Sequence, residues 1–267
     1  MRQVFLDTET TGLEPELGHR IIEIGCIEMI DRRFTGREFH VYINPRRKVD
    51  EGAAQVHGIS DEFLLDKPFF EDIVDDFMAF LAGPNGDDKA ELLAHNSPFD
   101  MKFINHELKL NGYRHKPIDD SWKVTNTYAM EDMVTGMKTN TTLDRLVKRY
   151  AEFPFDYKSL HANPGANGRG KPLTLSELAT VRSPDNHGAL LDTEMLAYVY
   201  LAITGGQVKL GLSSDGTASG QVTGISRLTT ADDLPVLMPT SEEIESHEAY
   251  LRKLDKKSGG KCVWFQN

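Results

Sequence analysis

The order of local patterns constrains this chain most, because extended segments come first and helical ones follow. Val4-Phe5-Leu6 is an apolar run that stops at Asp7, and Thr10-Thr11-Gly12 supply turn chemistry, which predicts a first strand with acids at its end. Ile21 to Ile30 is β-branched and apolar, Asp31 to Gly36 is polar, and Phe39 to Ile43 is apolar again. That alternation predicts an antiparallel meander with its turn over residues 31–36. Helical spacing then takes over. Ile73, Phe77 and Leu81 share one face, and the short run Leu92-Leu93-Ala94 leads into a helix from Pro98 to about Leu110 with Ser97 as its cap. Leu143, Leu146, Val147 and Tyr150 mark a third helix opened by Thr141 or Thr142, and Leu190 to Ile203 a fourth. Strands followed by alternation predict an α/β fold, a mixed sheet flanked by helices.

Two stretches break this order. Residues 151–186 carry Pro154, Pro164, Pro172 and Pro184 with Gly165, Gly168 and Gly170 and no long periodic run, so an inserted loop is expected there. Its Arg169 and Lys171 are candidates to touch a phosphate. Ser213 to Gly224 has no aromatic, Leu or Ile residue and cannot build a core, which predicts a flexible linker over 207–240. Beyond it, Thr240 to Glu243 reads as a capping box opening a helix with Ile244, His247, Leu251 and Leu254 on one stripe, ended by Gly259-Gly260. The expected organisation is a domain over 1–206, the linker, and a C-terminal segment over 241–267.

Composition excludes several classes. With 39% hydrophobic and 27% charged residues, the chain is neither disordered throughout nor collagenous. Thirty Lys and Arg against 41 Asp and Glu give a net charge of −11, so no broad basic surface holds nucleic acid, and any such contact must be local or metal-assisted. Cys26 and Cys262 lack metal-ligand spacing, and Met1-Arg2-Gln3 opens a strand instead of a leader peptide. A cytoplasmic protein with no membrane contact is expected.

The acids carry the chemistry. Asp7 and Glu9, two apart on a strand, point to one face and suit a divalent cation, although Asp-Thr-Glu-Thr-Thr-Gly also reads as turn and cap chemistry. Asp100 falls in the first turn of its helix, where an acid also serves the helix dipole. Asp192 sits in an apolar run, where a lone carboxylate would be costly and wants a partner. His187 lies about 140° from Asp192 on an ideal helix, so it is expected in the loop or first turn; taken alone it reads as an exposed polar residue.

Together, Asp7-Thr8-Glu9, the segment His95 to Asp100 and His187 to Asp192 resemble the three motifs of the DEDD exonuclease superfamily, in its histidine-containing branch. Val56-His57-Gly58-Ile59, Asp61 to Pro68 and Leu201 to Gly206 extend the similarity to the proofreading exonucleases that accompany bacterial replicative polymerases. The resemblance implies a ribonuclease H-like fold and 3′–5′ hydrolysis of DNA ends to nucleoside 5′-monophosphates, with two Mg²⁺ or Mn²⁺ ions. By it, Asp7 bridges the ions, Glu9 and Asp192 complete one shell, Asp100 serves the other, and His187 takes the proton of the attacking water. His57 matches a position that contacts the bound nucleotide. Gln207, Leu210 and Leu212 resemble a short sliding-clamp-binding peptide, and the C-terminal segment is the expected contact to the polymerase subunit. Exoribonucleases share all five active-site residues, so the motifs leave RNA open as the substrate. A catalytically idle polymerase scaffold is a third reading, which the retention of all five groups opposes.

Overall fold

A computed structural model describes residues 1–84, 86, 90–113, 117–130, 142–161, 172–182, 188–205 and 241–257. The chain divides into two compact units, Met1–Lys209 and Leu210–Asn267. In the first, β1 (Arg2–Thr10), β2 (Ile21–Ile30) and β3 (Arg33–Tyr42) form the expected meander. Then come α1 (Glu51–His57), α2 (Asp61–Leu64), α3 (Phe70–Ala82), β4 (Glu91–Ala94), α4 (Ser97–Leu110), α5 (Ile118–Ser121) and β5 (Val124–Asn126). The sheet order is β3-β2-β1-β4-β5, with the first three strands antiparallel and β4 and β5 running parallel to β1. It is therefore a mixed sheet with β1 at its centre.

The meander departs from its expected turn. Asp31 and Arg32 both adopt positive φ, at 49° and 66°, and make a two-residue hairpin in which Ile30 pairs with Arg33. Arg32 is held in this conformation by hydrogen bonds from its guanidinium to Thr204 Oγ1 at 2.7 Å and the Leu201 carbonyl at 3.0 Å. Gly36 lies beyond the turn, in a bulge where β3 carries extra residues between Phe34 opposite Met29 and Glu38 opposite Ile27. A tertiary anchor and a bulge together mimic a longer polar turn in the sequence.

Strand alternation divides the core. Val4, Leu6 and Cys26 point to one face, where they meet α3 through Phe77 and Leu81 and α4 through Phe103 and Ile104. Phe5, Ile27 and Met29 point to the other face, against α6 (Leu143–Tyr150) and α9 (Ala189–Thr204). Each of these fully buried large side chains contributes roughly 1.5–3 kcal/mol of transfer free energy. Helix α9 is apolar around most of its circumference and is accordingly covered on nearly all sides. It reaches the sheet because Gly25 leaves no side chain in the way: a Cβ there would stand 2.4 Å from the Ala189 carbonyl carbon and the Leu190 nitrogen. Thr193 Oγ1 donates to the Gly25 carbonyl at 3.1 Å across this contact.

The 151–186 stretch is more ordered than its Pro and Gly content predicts. It contains α7 (Tyr157–Leu160) and α8 (Leu175–Val181), the latter opened by a capping box between Thr174 and Glu177. Leu175 and Leu178 are fully buried in the α6–α9 core, and Phe155 and Tyr157 pack onto Tyr198. The expected loop is thus partly a core element, its periodicity too short to be visible in sequence. Arg169 and Lys171 lie outside the described residues. In the second unit, α10 (Ser241–Lys257) is the expected helix, with Ile244 45% exposed. Residues 206–240 and 258–267 are outside the described residues.

Candidate active site

β1 ends with Asp7 and Glu9 on its α9-facing side, the side of Phe5. Asp192 comes down on them from the first turn of α9, brought close by the Gly25 contact. One carboxylate oxygen from each of Asp7, Glu9 and Asp192 lies within 4.8 Å of the others. Asp100 approaches from the opposite face, the α4 side, where Thr8 Oγ1 donates to Asp100 Oδ1 at 2.8 Å. Alternation along β1 thus sends Asp7 and Glu9 to one helix and Thr8 to the other, and all four acids gather at the strand's end.

The two helices are held firmly. Arg20, just before β2, grips buried Glu107 of α4 with two hydrogen bonds of 2.7 Å, Nε to Oε1 and Nη2 to Oε2. At the helix start, Asn96 adopts the left-handed conformation, φ 64°, and α4 begins at Ser97, so the cap falls one residue earlier than Ser97. Asp100 stays in the first turn and is 2% exposed.

Burial raises the pKa of Asp7, Glu9 and Asp100, and the crowding of like charges adds to it at Asp7 and Glu9. Asp7 is pushed well above the ordinary carboxylate range by burial first and then by Asp100, Asp192, Glu9 and Glu23. Glu9 is raised to about 8 by burial, Asp192 and Glu23, with Arg182 opposing. Asp100 is raised to about 7 by burial, against the hydrogen bond from Thr8. Such an all-oxygen, mutually repelling donor set fits a hard divalent cation.

His57 closes α1, is 2% exposed, and its Nδ1 accepts from the Ile59 N–H at 3.0 Å, which assigns the proton of the neutral ring to Nε2. It lines a cavity of about 700 Å³ together with Glu9, Thr10, Leu13, Val56 and Phe99. His57 and Glu9 therefore border one space. His187, Gln207, Leu210 and Leu212 lie outside the described residues. The chain reaches α9 at Gly188, where an added Cβ would lie 3.9 Å from Glu23 Oε1.

Four participants were missed in the sequence. Thr8 reads as a spacer between acids, and Gly25 as an ordinary strand residue. Glu23 pairs with Glu9 across the β1–β2 ladder and is 1% exposed, with His40 Nε2 at 2.7 Å from its Oε1. An acid inside Ile21-Ile22-Glu23-Ile24 was a signal, since a buried strand tolerates a carboxylate only with a partner. Arg182 ends α8 and pairs with Asp192, Nη2 donating to Oδ2 at 2.9 Å and Nε lying 2.6 Å from Oδ1. Its neighbours in sequence gave no sign of it.

A mixed five-stranded sheet with acids at the end of its central strand, opposed by acids in the first turns of two helices, defines a DEDD-type exonuclease of ribonuclease H-like fold. The family model described as "Exonuclease" (RNase_T) matches residues 4–163. The DNA polymerase III subunit epsilon of Escherichia coli (strain K12) is 39% identical over 270 residues, 98% of this chain and 97% of that protein. The epsilon subunit of Rickettsia felis is 37% identical over 263 residues, covering 96% and 98%. The chain belongs to the DNA polymerase III epsilon-subunit family of 3′–5′ proofreading exonucleases. A solved 3′-exonuclease, described in recognition of a histone mRNA stem-loop, shares the fold with TM-score 0.55 at 17% identity, over 77% of this chain and 82% of its own.

Proposed function

We propose that this chain removes nucleotides from the 3′ end of DNA, hydrolysing the terminal phosphodiester to nucleoside 5′-monophosphates at a site holding two Mg²⁺ or Mn²⁺ ions. One observation carries the reading: oxygens of Asp7, Glu9 and Asp192 converge within 4.8 Å. Asp100 stands on the other side of the strand end, held by Thr8. Asp7 would hold both ions, Glu9 and Asp192 one, and Asp100 the other, directly or through water. When bound, divalent ions neutralise this cluster, activate water and stabilise the leaving oxygen. His187, adjacent to the N-cap of α9, serves as base because its unperturbed pKa is close to neutrality. His57 and the apolar walls of the cavity, among them Leu13 and Phe99, receive the terminal nucleotide.

A net charge of −11 leaves the chain a weak intrinsic hold on DNA. That suits a subunit to which a replicative polymerase delivers frayed primer ends, and the names of the relatives favour DNA over RNA. The segment 241–267 holds the polymerase, and Gln207, Leu210 and Leu212 touch the sliding clamp. Among the described residues no helix is long and apolar enough to cross a membrane. The test compares a 3′-labelled mismatched DNA primer with single-stranded RNA, in Mg²⁺ and in Mn²⁺. Release of deoxynucleoside 5′-monophosphates from the mismatched end is expected, and faster turnover of the RNA would overturn the reading.

A further inference from the structure

We infer that Arg182 is a built-in counter-cation of the metal site, which grips Asp192 and must give way when a divalent ion takes the same carboxylate. This rests on the reading of Asp192 as a metal ligand. Nη2 donates to Oδ2 at 2.9 Å, and Nε stands 2.6 Å from Oδ1 as an ion pair, so the positive charge lies against both oxygens. The Arg182 side chain is only 8% exposed, so water screens this pair little. A metal ion bound by Asp192 needs lone pairs on those same oxygens, and its charge repels the guanidinium across a poorly solvated gap.

The arginine is fixed from behind. It follows α8, which is held by its capping box and by buried Leu175 and Leu178, so the backbone that carries the guanidinium is anchored. Its Nη1 is also paired to Asp144 of α6, a carboxylate 54% exposed. Asp144 offers a resting place once Asp192 is released, so displacement costs less than stripping a buried charge of every partner. By this arrangement the 151–186 insertion sets how readily the nuclease site fills with metal.

The test is Mn²⁺ titration of the metal-stripped full-length protein by calorimetry, for wild type, Arg182→Gln, Arg182→Lys and Asp192→Asn. Removing the competing charge in Arg182→Gln should tighten Mn²⁺ binding about tenfold, given the Coulomb repulsion it relieves. Arg182→Lys keeps the charge but not the planar guanidinium set against both oxygens and should tighten it about threefold. Metal-stripped Arg182→Gln should also melt below wild type and recover more on Mn²⁺ addition. Should Arg182→Gln not fold, Arg182→Lys decides. Unchanged or weaker Mn²⁺ affinity in the Arg182 variants, with affinity lost in Asp192→Asn, overturns the counter-cation role alone. Wild-type Mn²⁺ binding by Asp192→Asn overturns the ligand assignment beneath it.

Discussion

Gly25 lies directly opposite Asp7 in the β1–β2 ladder, and the space beside it is filled by the backbone of Ala189 and Leu190. The metal-site acids on β1 and on α9 therefore depend on a missing methyl group. Gly25→Ala would place a Cβ 2.4 Å from two backbone atoms that have no flexible end to yield. The helix start must retreat, at a cost of about 2–3 kcal/mol in stability, and Asp192 retreats with it. Urea unfolding together with Mn²⁺ titration checks this: loss of metal affinity in the fraction that stays folded is expected, and wild-type affinity would show that α9 is placed by other contacts.

Asp7→Asn should abolish hydrolysis while leaving the fold intact or more stable. The substitution conserves volume and removes one charge from a group whose ionised form is opposed by burial and by four neighbouring acids. A fall in kcat of a thousandfold or more corresponds to about 4 kcal/mol of lost transition-state stabilisation. Without metal, the variant should melt at or above the wild-type temperature. Near-normal turnover in Mg²⁺ would remove Asp7 from the site.

Burial of these carboxylates gives a pH dependence of defined sign. Glu9, raised to about 8, and Asp100, raised to about 7, bind protons in the folded chain that the unfolded chain has already released. Between the unfolded value near pH 4 and about pH 8 the folded state holds more protons, so stability of the metal-stripped protein declines as pH rises through that window. Glu71 and Glu91, whose pKa values are lowered, act with the opposite sign but only at more acidic pH. Saturating Mg²⁺ should flatten the slope, because it stabilises the ionised carboxylates. Urea midpoints at several pH values, with and without Mg²⁺, measure both; a metal-independent slope would mean that the acids do not bind the ion.

How much of this was legible depended on whether a residue's role is written in its own neighbourhood. Asp7 and Glu9 announce themselves by period-two spacing at a strand end, Asp100 by its place in a first helical turn, and Asp192 by its setting in an apolar run. The mixed sheet flanked by helices follows from strands preceding helices, whereas the order of its strands is not written in any local pattern. Gly25 was not legible, because its importance lies in α9, more than 160 residues away, and a lone glycine in a strand carries no mark of what presses on it. Arg182 was hidden likewise. Its partner Asp192 is separated from it by turn residues, and α8 is too short for its two buried leucines to establish a period. The turn at Asp31-Arg32 was misplaced because the hydrogen bonds that stabilise Arg32 at positive φ come from the far end of α9.

His161 imitates a catalytic histidine in sequence, since Leu160-His161-Ala162 resembles the start of the His187 motif. Its surroundings are structural. The ring stacks on Phe34 at 4.6 Å between centroids, and Nε2 lies 2.8 Å from the Tyr198 hydroxyl. Burial lowers its pKa, which favours the neutral ring in that packing. His161→Ala should therefore cost about 1–2 kcal/mol of stability and leave kcat close to wild type at permissive temperature. His187→Ala should do the reverse, keeping stability and metal binding while activity collapses. Equal loss of kcat in the two variants would contradict the assignment of the base.

Truncation after Lys209 should separate catalysis from polymerase attachment. Met1–Lys209 is a compact unit containing both faces of the core, the four acids and His187. Its described core clusters are built from residues between Val4 and Ile203, so the shortened chain should fold with an unchanged melting temperature and hydrolyse free DNA ends at the full-length rate. The removed unit holds α10, whose Ile244 and Tyr250 are exposed at 45% and 61%, apolar surface suited to a groove on a partner. Attachment through the C-terminal segment would hold the nuclease near a primer end at high effective concentration, so its loss matters only when the polymerase is present. Pull-down with the polymerase subunit and single-turnover hydrolysis of a mismatched primer, each on the full-length and truncated chains, measure the two functions separately. The expected result is lost capture with retained hydrolysis; retained capture would move the polymerase contact onto the nuclease unit, and lost hydrolysis would make the C-terminal segment part of the catalytic core.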